Sequence, residues 1–233
     1  MGQKVNPKSQ RLILNKDWDS RWISQKLFAY TILADNIIRS AVMEKISNAG
    51  IARIVIERGN QENKIIIHTS RPGVVIGRSG RGITDLKKYI EKKLDQSTDF
   101  KLINSQLSQK DLMQIKKKLS HNLKLSISEI REHQMHAQLV AQDIANQLEK
   151  RMPYRKVIKK TISKIESNRK INGIKISVSG RLNGAEIART EKFTSGSIPL
   201  ATFKSNVDYA YVPSKTTHGV IGVKVWIYIK DNQ

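Results

Sequence analysis

The sequence contains no cysteine. This absence excludes disulfide bridges and thiolate-ligated zinc, and it fits a protein of the reducing cytosol. Acidic residues are also scarce, because 20 Asp and Glu accompany 42 Lys and Arg, which gives a formal net charge of +22. Small domains usually carry a net charge of about 2 to 8. So large an excess of positive charge favours a polyanionic partner, and nucleic acid is the first candidate.

The sequence also has no long apolar run, no internal repeat and no Pro/Gly-rich hinge between its predicted domains. No run approaches the roughly 18 apolar residues of a membrane span, so we expect no membrane partner. The first residues are polar and basic, so we expect no secretory signal. The 233 residues are enough for one or two domains with a core that needs no disulfide.

The most informative stretch follows the short apolar run 74–76 and reads Gly77-Arg78-Ser79-Gly80, then Arg81. Beyond it, apolar residues recur at helical spacing, namely Ile83, Leu86, Ile90 and Leu94. Two glycines allow a tight turn, and a helix N-terminus offers unpaired N–H groups to a phosphate. The stretch from Gly77 to Arg81 therefore predicts a GXXG loop, which clamps the backbone of single-stranded nucleic acid.

Two other interpretations of this stretch exist. The loop is also compatible with a plain connection between two helices, because short glycine patterns are common. A nucleotide-binding P-loop is disfavoured, since that motif needs four residues between its glycines and then a lysine. Here only three residues separate Gly73 from Gly77, and Arg78 follows.

The segments around the loop predict an α+β module over residues 26–130. Its order is helix, strand, strand, helix, GXXG, helix and, after an insertion, a last strand. The main segments are a helix at 26–49, strands at 51–58 and 64–70, a helix at 81–95, an insertion at 96–124 and a strand at 125–130. We predict a basic arm over 1–25 that becomes ordered on a partner, with Trp18 and Trp22 docked because large aromatic rings are costly to leave in water.

A second α+β module is predicted over residues 131–233. A long helix precedes Pro153, which is tolerated at the start of the next helix, over 154–165. Strands are predicted at 173–178, 188–193, 202–212 and 220–229. We expect the two helices to cover one face of an antiparallel sheet.

The helix at 154–165 has two different faces. One face is apolar, with Val157, Ile158, Thr161, Ile162 and Ile165. The other is basic, with Arg155, Lys156, Lys159, Lys160 and Lys164. A run of charge is usually a solvated face, but such faces mix signs, and residues 150–175 hold ten basic residues and one acid. The pattern therefore favours a surface that faces phosphates.

No catalytic constellation is evident. His133 and His136 follow Glu132 in the order Glu-His-x-x-His, which is not the zinc-protease order, and no third ligand accompanies them. The sequence has no Gly-x-Ser-x-Gly elbow and no carboxylate cluster suited to two metals. We therefore predict a non-enzyme with no metal and no cofactor.

Five blocks of sequence resemble the family of the third protein of the bacterial small ribosomal subunit. The blocks lie at 1–7, 53–58, 69–77, 179–191 and 219–227, in the family's order, and span nearly the whole chain. The last two, Ser179-Gly180-Arg181-Leu182-Asn183-Gly184-Ala185-Glu186-Ile187-Ala188-Arg189-Thr190-Glu191 and Gly219-Val220-Ile221-Gly222-Val223-Lys224-Val225-Trp226-Ile227, are far more specific than the GXXG loop.

The resemblance implies a type II KH domain followed by an α+β domain unique to the family. It implies binding to small-subunit ribosomal RNA in the head, contacts with neighbouring head proteins, and a ribosome of the cytoplasm or an organelle. The candidates for ribosomal RNA contact outside the GXXG loop are Lys4, Lys8, Arg11, Lys160, Lys164, Arg181 and Arg189. The insertion at 96–124 is not typical of the family.

The resemblance also implies a place in the messenger RNA entry tunnel, where the family helps to open messenger structure. The family's basic segment for this task, Phe-Arg-Arg-x-x-Lys, matches residues 154–159, so Arg155, Lys156 and Lys159 are the candidates. Lys156 replaces an arginine, so a point charge stands in place of a planar bidentate donor.

Two other functions are compatible with basic nucleic-acid-binding modules. One is a free KH regulator of messenger RNA, which would not sediment with small subunits in high salt. The other is a nuclease or lyase, which a metal-dependent cleavage assay would reveal. The long C-terminal blocks favour the ribosomal interpretation.

Overall fold

The structure, a computed structural model, describes residues 4–24, 27–59, 62–96 and 122–230. The chain divides into two units. The N-terminal unit comprises residues 18–130, and the C-terminal unit comprises residues 131–233 together with residues 1–17. The arm predicted over 1–25 is therefore divided between them, and most of the insertion predicted at 96–124 lies outside the described residues.

The N-terminal unit is a four-stranded sheet with helices. Its elements are β1 (Ser20–Arg21), α1 (Phe28–Lys45), β2 (Ile51–Arg58), β3 (Asn63–Thr69), α2 (Pro72–Ile76), α3 (Arg81–Gln96) and β4 (Leu123–Glu129). The strands follow the order β1-β2-β3-β4. The central pair is antiparallel and the two outer pairs are parallel. The strand predicted at 125–130 thus completes the sheet beside β3.

The core of this unit follows from two periodicities. Buried side chains alternate along β3, where Ile65 and Ile67 are fully buried, as expected for a strand with one face on the core. On α3, Leu86, Ile90 and Leu94 recur every four residues and are buried, as expected for an amphipathic helix. The core therefore lies between the sheet and one stripe of each long helix.

A buried ion pair fastens α1 to the sheet. The Asp35 carboxylate accepts hydrogen bonds from Arg58 Nε at 2.9 Å and Nη2 at 2.7 Å. Its second oxygen accepts a hydrogen bond from Trp22 Nε1 at 2.8 Å, and the Trp22 ring meets Phe28 edge-on. Trp22 is docked as predicted, whereas Trp18 is half exposed.

The C-terminal unit has two helices on an antiparallel sheet, as predicted. Its elements are α4 (Ala137–Glu149), α5 (Tyr154–Glu166), β5 (Ile171–Gly180), β6 (Arg189–Gly196), β7 (Val207–Thr216) and β8 (Gly219–Ile229). The strand order is β6-β5-β8-β7. Both helices and the inward side chains of the sheet share one apolar core, to which Ile144, Ile158, Ile176 and Val225 belong.

One predicted strand begins later than expected. The prediction placed it at 202–212, but β7 starts at Val207. A turn precedes it, in which the Ser205 amide donates to the Thr202 carbonyl. The carbonyls of this turn accept hydrogen bonds from an arginine rather than from a neighbouring strand.

That arginine is Arg11, which belongs to the first 17 residues and is fully buried in the C-terminal unit. Its Nε donates to the Ser205 carbonyl at 2.7 Å, and its Nη2 donates to the Thr202 carbonyl at 2.9 Å. The guanidinium also donates to the carbonyls of Pro7, Pro199 and Leu200. Burial lowers the pKa of Arg11 from its ordinary value, yet an arginine stays protonated in proteins. A cation held by carbonyl oxygens therefore anchors the beginning of the chain.

A second contact of the arm involves the first turn of α4. Asp208 accepts a hydrogen bond from the Ala137 amide at 2.7 Å and lies 3.0 Å from Lys8 Nζ. Burial acts to raise the pKa of Asp208, but Lys8, Lys16 and the Ala137 amide outweigh it and leave the pKa below its ordinary value. A carboxylate at a helix N-terminus also interacts favourably with the helix dipole. Asp208 therefore stabilises both α4 and the contact with the arm.

Candidate nucleic-acid interface

The GXXG loop joins α2 to α3 through backbone conformations that favour glycine. Gly77 ends α2 with φ of 67°, and Gly80 has φ of 74°. Ser79 also adopts a left-handed conformation, with φ of 55°. The side chains of Arg78, Ser79 and Arg81 are exposed. The loop therefore presents two cations and a hydroxyl at the start of α3, where unpaired N–H groups favour an anion.

Gly82, just beyond the loop, is a structural requirement that the sequence pattern alone does not reveal. A Cβ at this position would lie 2.6 Å from the Val75 carbonyl oxygen and 2.8 Å from that of Ile76. Only glycine allows α2 and α3 to approach so closely. The signal was present in the spacing Gly77, Gly80, Gly82, but a third glycine does not reveal from sequence which backbone it approaches.

Apolar side chains border the loop. Val74 and Ile76 of α2 remain 54% and 37% exposed, while Val75 between them is buried. In KH domains, apolar groups beside a GXXG turn can contact the bases of a strand whose backbone such a turn holds. In the sequence, residues 74–76 are recognisable only as an apolar run that leads into the loop.

Helix α5 presents the basic face predicted for it. Tyr154, Val157, Ile158 and Ile165 are buried, and the five predicted cations are exposed. Among the described residues, no carboxylate lies within ion-pair distance of Lys156, Lys159, Lys160 or Lys164. This face therefore carries positive charge that the protein itself does not neutralise.

Arg155 differs from the lysines that follow it. Its Nη2 lies 3.2 Å from Glu191 Oε1, which also accepts a hydrogen bond from the Tyr154 hydroxyl at 2.8 Å. The hydrogen bonds from Tyr154 and then Arg155 lower the pKa of Glu191, and Glu191 in turn raises the pKa of Arg155. Glu191 of β6 thus orients Arg155, and the ion pair partly neutralises the charge of Arg155.

The remaining candidates for RNA contact fall in different settings. Lys4 is exposed, while Lys8 is paired with Asp208. Arg181 and Arg189 are exposed; Arg181 Nε donates to the Ala185 carbonyl, and Arg189 lies 3.9 Å from Glu191. Arg11 is buried, and all three of its nitrogens donate within the protein. Its guanidinium is therefore not available to a phosphate.

Two family comparisons agree with this architecture. Residues 37–170 match the profile described as KH domain, and residues 144–227 match the profile described as ribosomal protein S3, C-terminal domain. The protein named small ribosomal subunit protein uS3 of Caldicellulosiruptor saccharolyticus is 45% identical over 99% of this chain and 93% of its own length. This chain belongs to the uS3 family.

More distant uS3 proteins align over similar lengths. The uS3 protein of Clostridium acetobutylicum is 39% identical over 98% of this chain and 92% of its own length. That of Thermodesulfovibrio yellowstonii is 38% identical over 98% of this chain and 94% of its own length. The uS3 likeness therefore includes both units, and it confirms the α+β fold with a KH domain first.

The two histidines of the Glu-His-x-x-His pattern lie in different local structures in this uS3-family chain. His133 lies in a short 3-10 turn that ends at Met135, and His136 precedes α4, so the two histidines do not share one helical face. Within the described ranges, no group of three or more His, Cys, Asp or Glu is arranged to hold a metal ion. No helix in the same ranges is long and apolar enough to cross a bilayer.

Proposed function

We propose that this chain binds ribosomal RNA in the head of the small subunit and holds incoming messenger RNA on the basic face of α5. Its curated relatives are small ribosomal subunit proteins, and the chain is a structural, non-enzymatic constituent of that subunit. We further propose that the GXXG loop contacts ribosomal RNA and that the C-terminal unit contacts neighbouring head proteins.

One observation carries the messenger part of this proposal. The lysines of α5 are exposed, share one helical face and have no carboxylate partner among the described residues. Such a surface attracts phosphates and loses attraction as salt rises. Cations that hold the phosphates of separated strands favour them over the duplex, and no nucleotide hydrolysis by this chain is required.

The test is a variant that carries Arg155→Ala, Lys156→Ala and Lys159→Ala. Folding should be retained, because alanine suits a helix and the apolar face is unchanged. Loss of roughly 1 kcal/mol of exposed charge attraction corresponds to about fivefold slower translocation into a stable hairpin. The measurement compares elongation by variant ribosomes on messengers with and without a hairpin ahead of the ribosome.

The matched control removes three lysines from α3, at Lys87, Lys88 and Lys92. This control changes the charge equally, so it should leave the ratio of the two elongation rates at the wild-type value. Equal slowing on both messengers, or no slowing on either, would rule out this role for α5. Subunits should assemble in both variants, because the rest of the basic surface is retained.

A second prediction concerns the GXXG loop. Replacing Arg78 and Ser79 with aspartate should weaken RNA binding about tenfold, because one charge-assisted hydrogen bond contributes about 1.5 kcal/mol. The fold should be retained, since Asp tolerates the left-handed conformation of Ser79. The slope of log affinity against log salt should also become shallower by about 0.7 for each lost phosphate contact with a single strand.

The control for the loop variant is Lys88→Asp with Gln96→Glu, which produces the same change of charge farther along α3. Both proteins are titrated with labelled single-stranded RNA over a range of salt, and their thermal midpoints are compared. If the loop variant binds as tightly as its control, the loop is only a turn between helices.

A further inference from the structure

The outer face of the C-terminal sheet is the side of the sheet opposite α4 and α5. Register places Lys175, Trp226 and Tyr209 side by side on β5, β8 and β7. Their neighbours along each strand, such as Ile176 and Val225, belong to the helix-covered core. Because successive side chains point to opposite faces, this row lies on the outer face.

The three side chains of this row are in contact. The Tyr209 and Trp226 rings lie 5.2 Å apart between centroids, tilted by 44°. Lys175 Nζ lies 5.4 Å from the centroid of the Trp226 ring, a cation–π distance. The row therefore combines two half-buried rings with a cation that already rests on one of them.

A second row lies beside the first. Tyr211, Lys224 and Ser177 are adjacent on β7, β8 and β5, and Lys192 pairs with Ser177 from β6. The Tyr211 ring extends over Gly222, where a Cβ would lie 3.2 Å from Tyr211 Cε2. The missing side chain leaves room for the ring to lie along the sheet. Tyr211 remains 51% exposed.

The charge of this face has one sign. Lys175, Lys192 and Lys224 face outward, whereas no outward position of the four strands is Asp or Glu. Burial, followed by the nearby cations Lys4 and Lys192, lowers the pKa of Lys175. No carboxylate among the described residues is within ion-pair distance of the three lysines. The face therefore attracts a polyanion.

We propose that this outer face binds a single-stranded segment of RNA, with bases stacked on Tyr211 and Trp226 and phosphates held by Lys192 and Lys224. Exposed rings on a cationic sheet suit unpaired bases, because every base has a π-face. An acidic protein partner would use the lysines but would gain little from the exposed ring of Tyr211. This inference rests on the RNA-binding function proposed above and assigns it a surface separate from the GXXG loop and from α5.

The experiment uses the full chain and a labelled oligouridylate. Tyr211→Leu with Trp226→Leu should weaken binding about 30-fold, the lower end of what stacking of two bases provides. Tyr211→Phe with Trp226→Phe keeps both rings and should bind within about twofold of wild type on the same grounds. Because Trp226 is half-buried, Tyr211→Leu alone is measured too, and it should weaken binding about fivefold. Unfolding midpoints are recorded for each variant.

The charges are tested separately. Lys192→Ala with Lys224→Ala should weaken binding more than the charge-matched Lys93→Ala with Lys124→Ala, whose lysines are paired with Glu44 and Glu62. Cross-links from 4-thiouridine RNA should map to peptides that contain Tyr211 or Trp226. Leucine variants that fold and bind the oligouridylate like wild type would overturn the proposal. Polyglutamate, a polyanion without bases, is titrated in parallel. Leucine variants that keep RNA binding and lose only the binding of polyglutamate would also overturn the proposal.

Failure here can be distinguished from failure of the function proposed above. The leucine substitutions are also combined with Arg78→Asp and Ser79→Asp in the loop, and each set is measured alone as well. If only the loop change weakens binding, the outer face has no role and the loop assignment stands. If only the leucine changes weaken binding, the outer face is the RNA site and the loop assignment fails.

Discussion

Arg11→Ala is expected to lower the free energy of unfolding by roughly 3 kcal/mol, because buried carbonyls lose their donor and a cavity remains. Leu200 O and Pro7 O accept from Arg11 at 3.3 and 3.1 Å, and no other donor to either appears among the described residues. Arg11→Lys should recover little of the loss, since one ammonium cannot match a planar group with five N–H donors.

Two measurements check the expectation for Arg11. Thermal and denaturant unfolding give the change in stability, with the exposed Arg169→Ala as a control that should stay within about 0.5 kcal/mol of wild type. Hydrogen exchange of the Lys16 amide, which donates to the Arg11 carbonyl, should accelerate if the arm detaches. Unchanged stability and unchanged exchange together would mean that Arg11 does not anchor the arm.

The second large effect is expected in the N-terminal unit. Asp35→Leu should destabilise the protein by roughly 3 to 5 kcal/mol, because it leaves the buried guanidinium of Arg58 without its carboxylate. The two side chains are only 6% and 7% exposed. The variant also removes the acceptor of Trp22 Nε1, so the contacts at the start of the unit should loosen as well.

A double-mutant cycle separates the pair from its surroundings. Asp35→Leu with Arg58→Met should be much less destabilised than Asp35→Leu alone, since apolar residues often replace a buried ion pair at little cost. The exposed pair Arg21–Glu57, at 3.4 Å, is the control, and Glu57→Ala should cost less than about 1 kcal/mol. Additive losses in the cycle would contradict a coupling between Asp35 and Arg58.

Periodic patterns made most of the fold predictable from sequence. The strand predicted at 51–58 has the observed bounds of β2, and the helix predicted at 81–95 ends one residue later. Helix α5 has its predicted apolar and basic faces because alternation at 3.6 residues depends only on local sequence. The family was likewise recognisable, because the blocks at 179–191 and 219–227 are long and specific.

The contacts of Arg11 were not predictable in the same way. Apart from the nearby Pro7 carbonyl, its backbone acceptors are carbonyls 188 to 194 positions away, and a carbonyl is present at every residue. Arg11 therefore looked like any other cation of a basic arm. The same limitation applies to β7, whose late start at Val207 follows from a turn that forms with Arg11. The outer face of the sheet was missed because its rows exist only once register brings Lys175 and Trp226 together.

The distance along the chain between Arg11 and Ser205 also bears on how the protein is made. A ribosome that adds 5 to 20 residues per second needs about 10 to 40 s to produce the 194 positions that separate them. Residues 18–130 form a contiguous stretch that can fold during this interval. Arg11 cannot reach the carbonyls of residues 199–205 until synthesis is almost complete, so the basic segment around it stays unanchored while most of the chain is made.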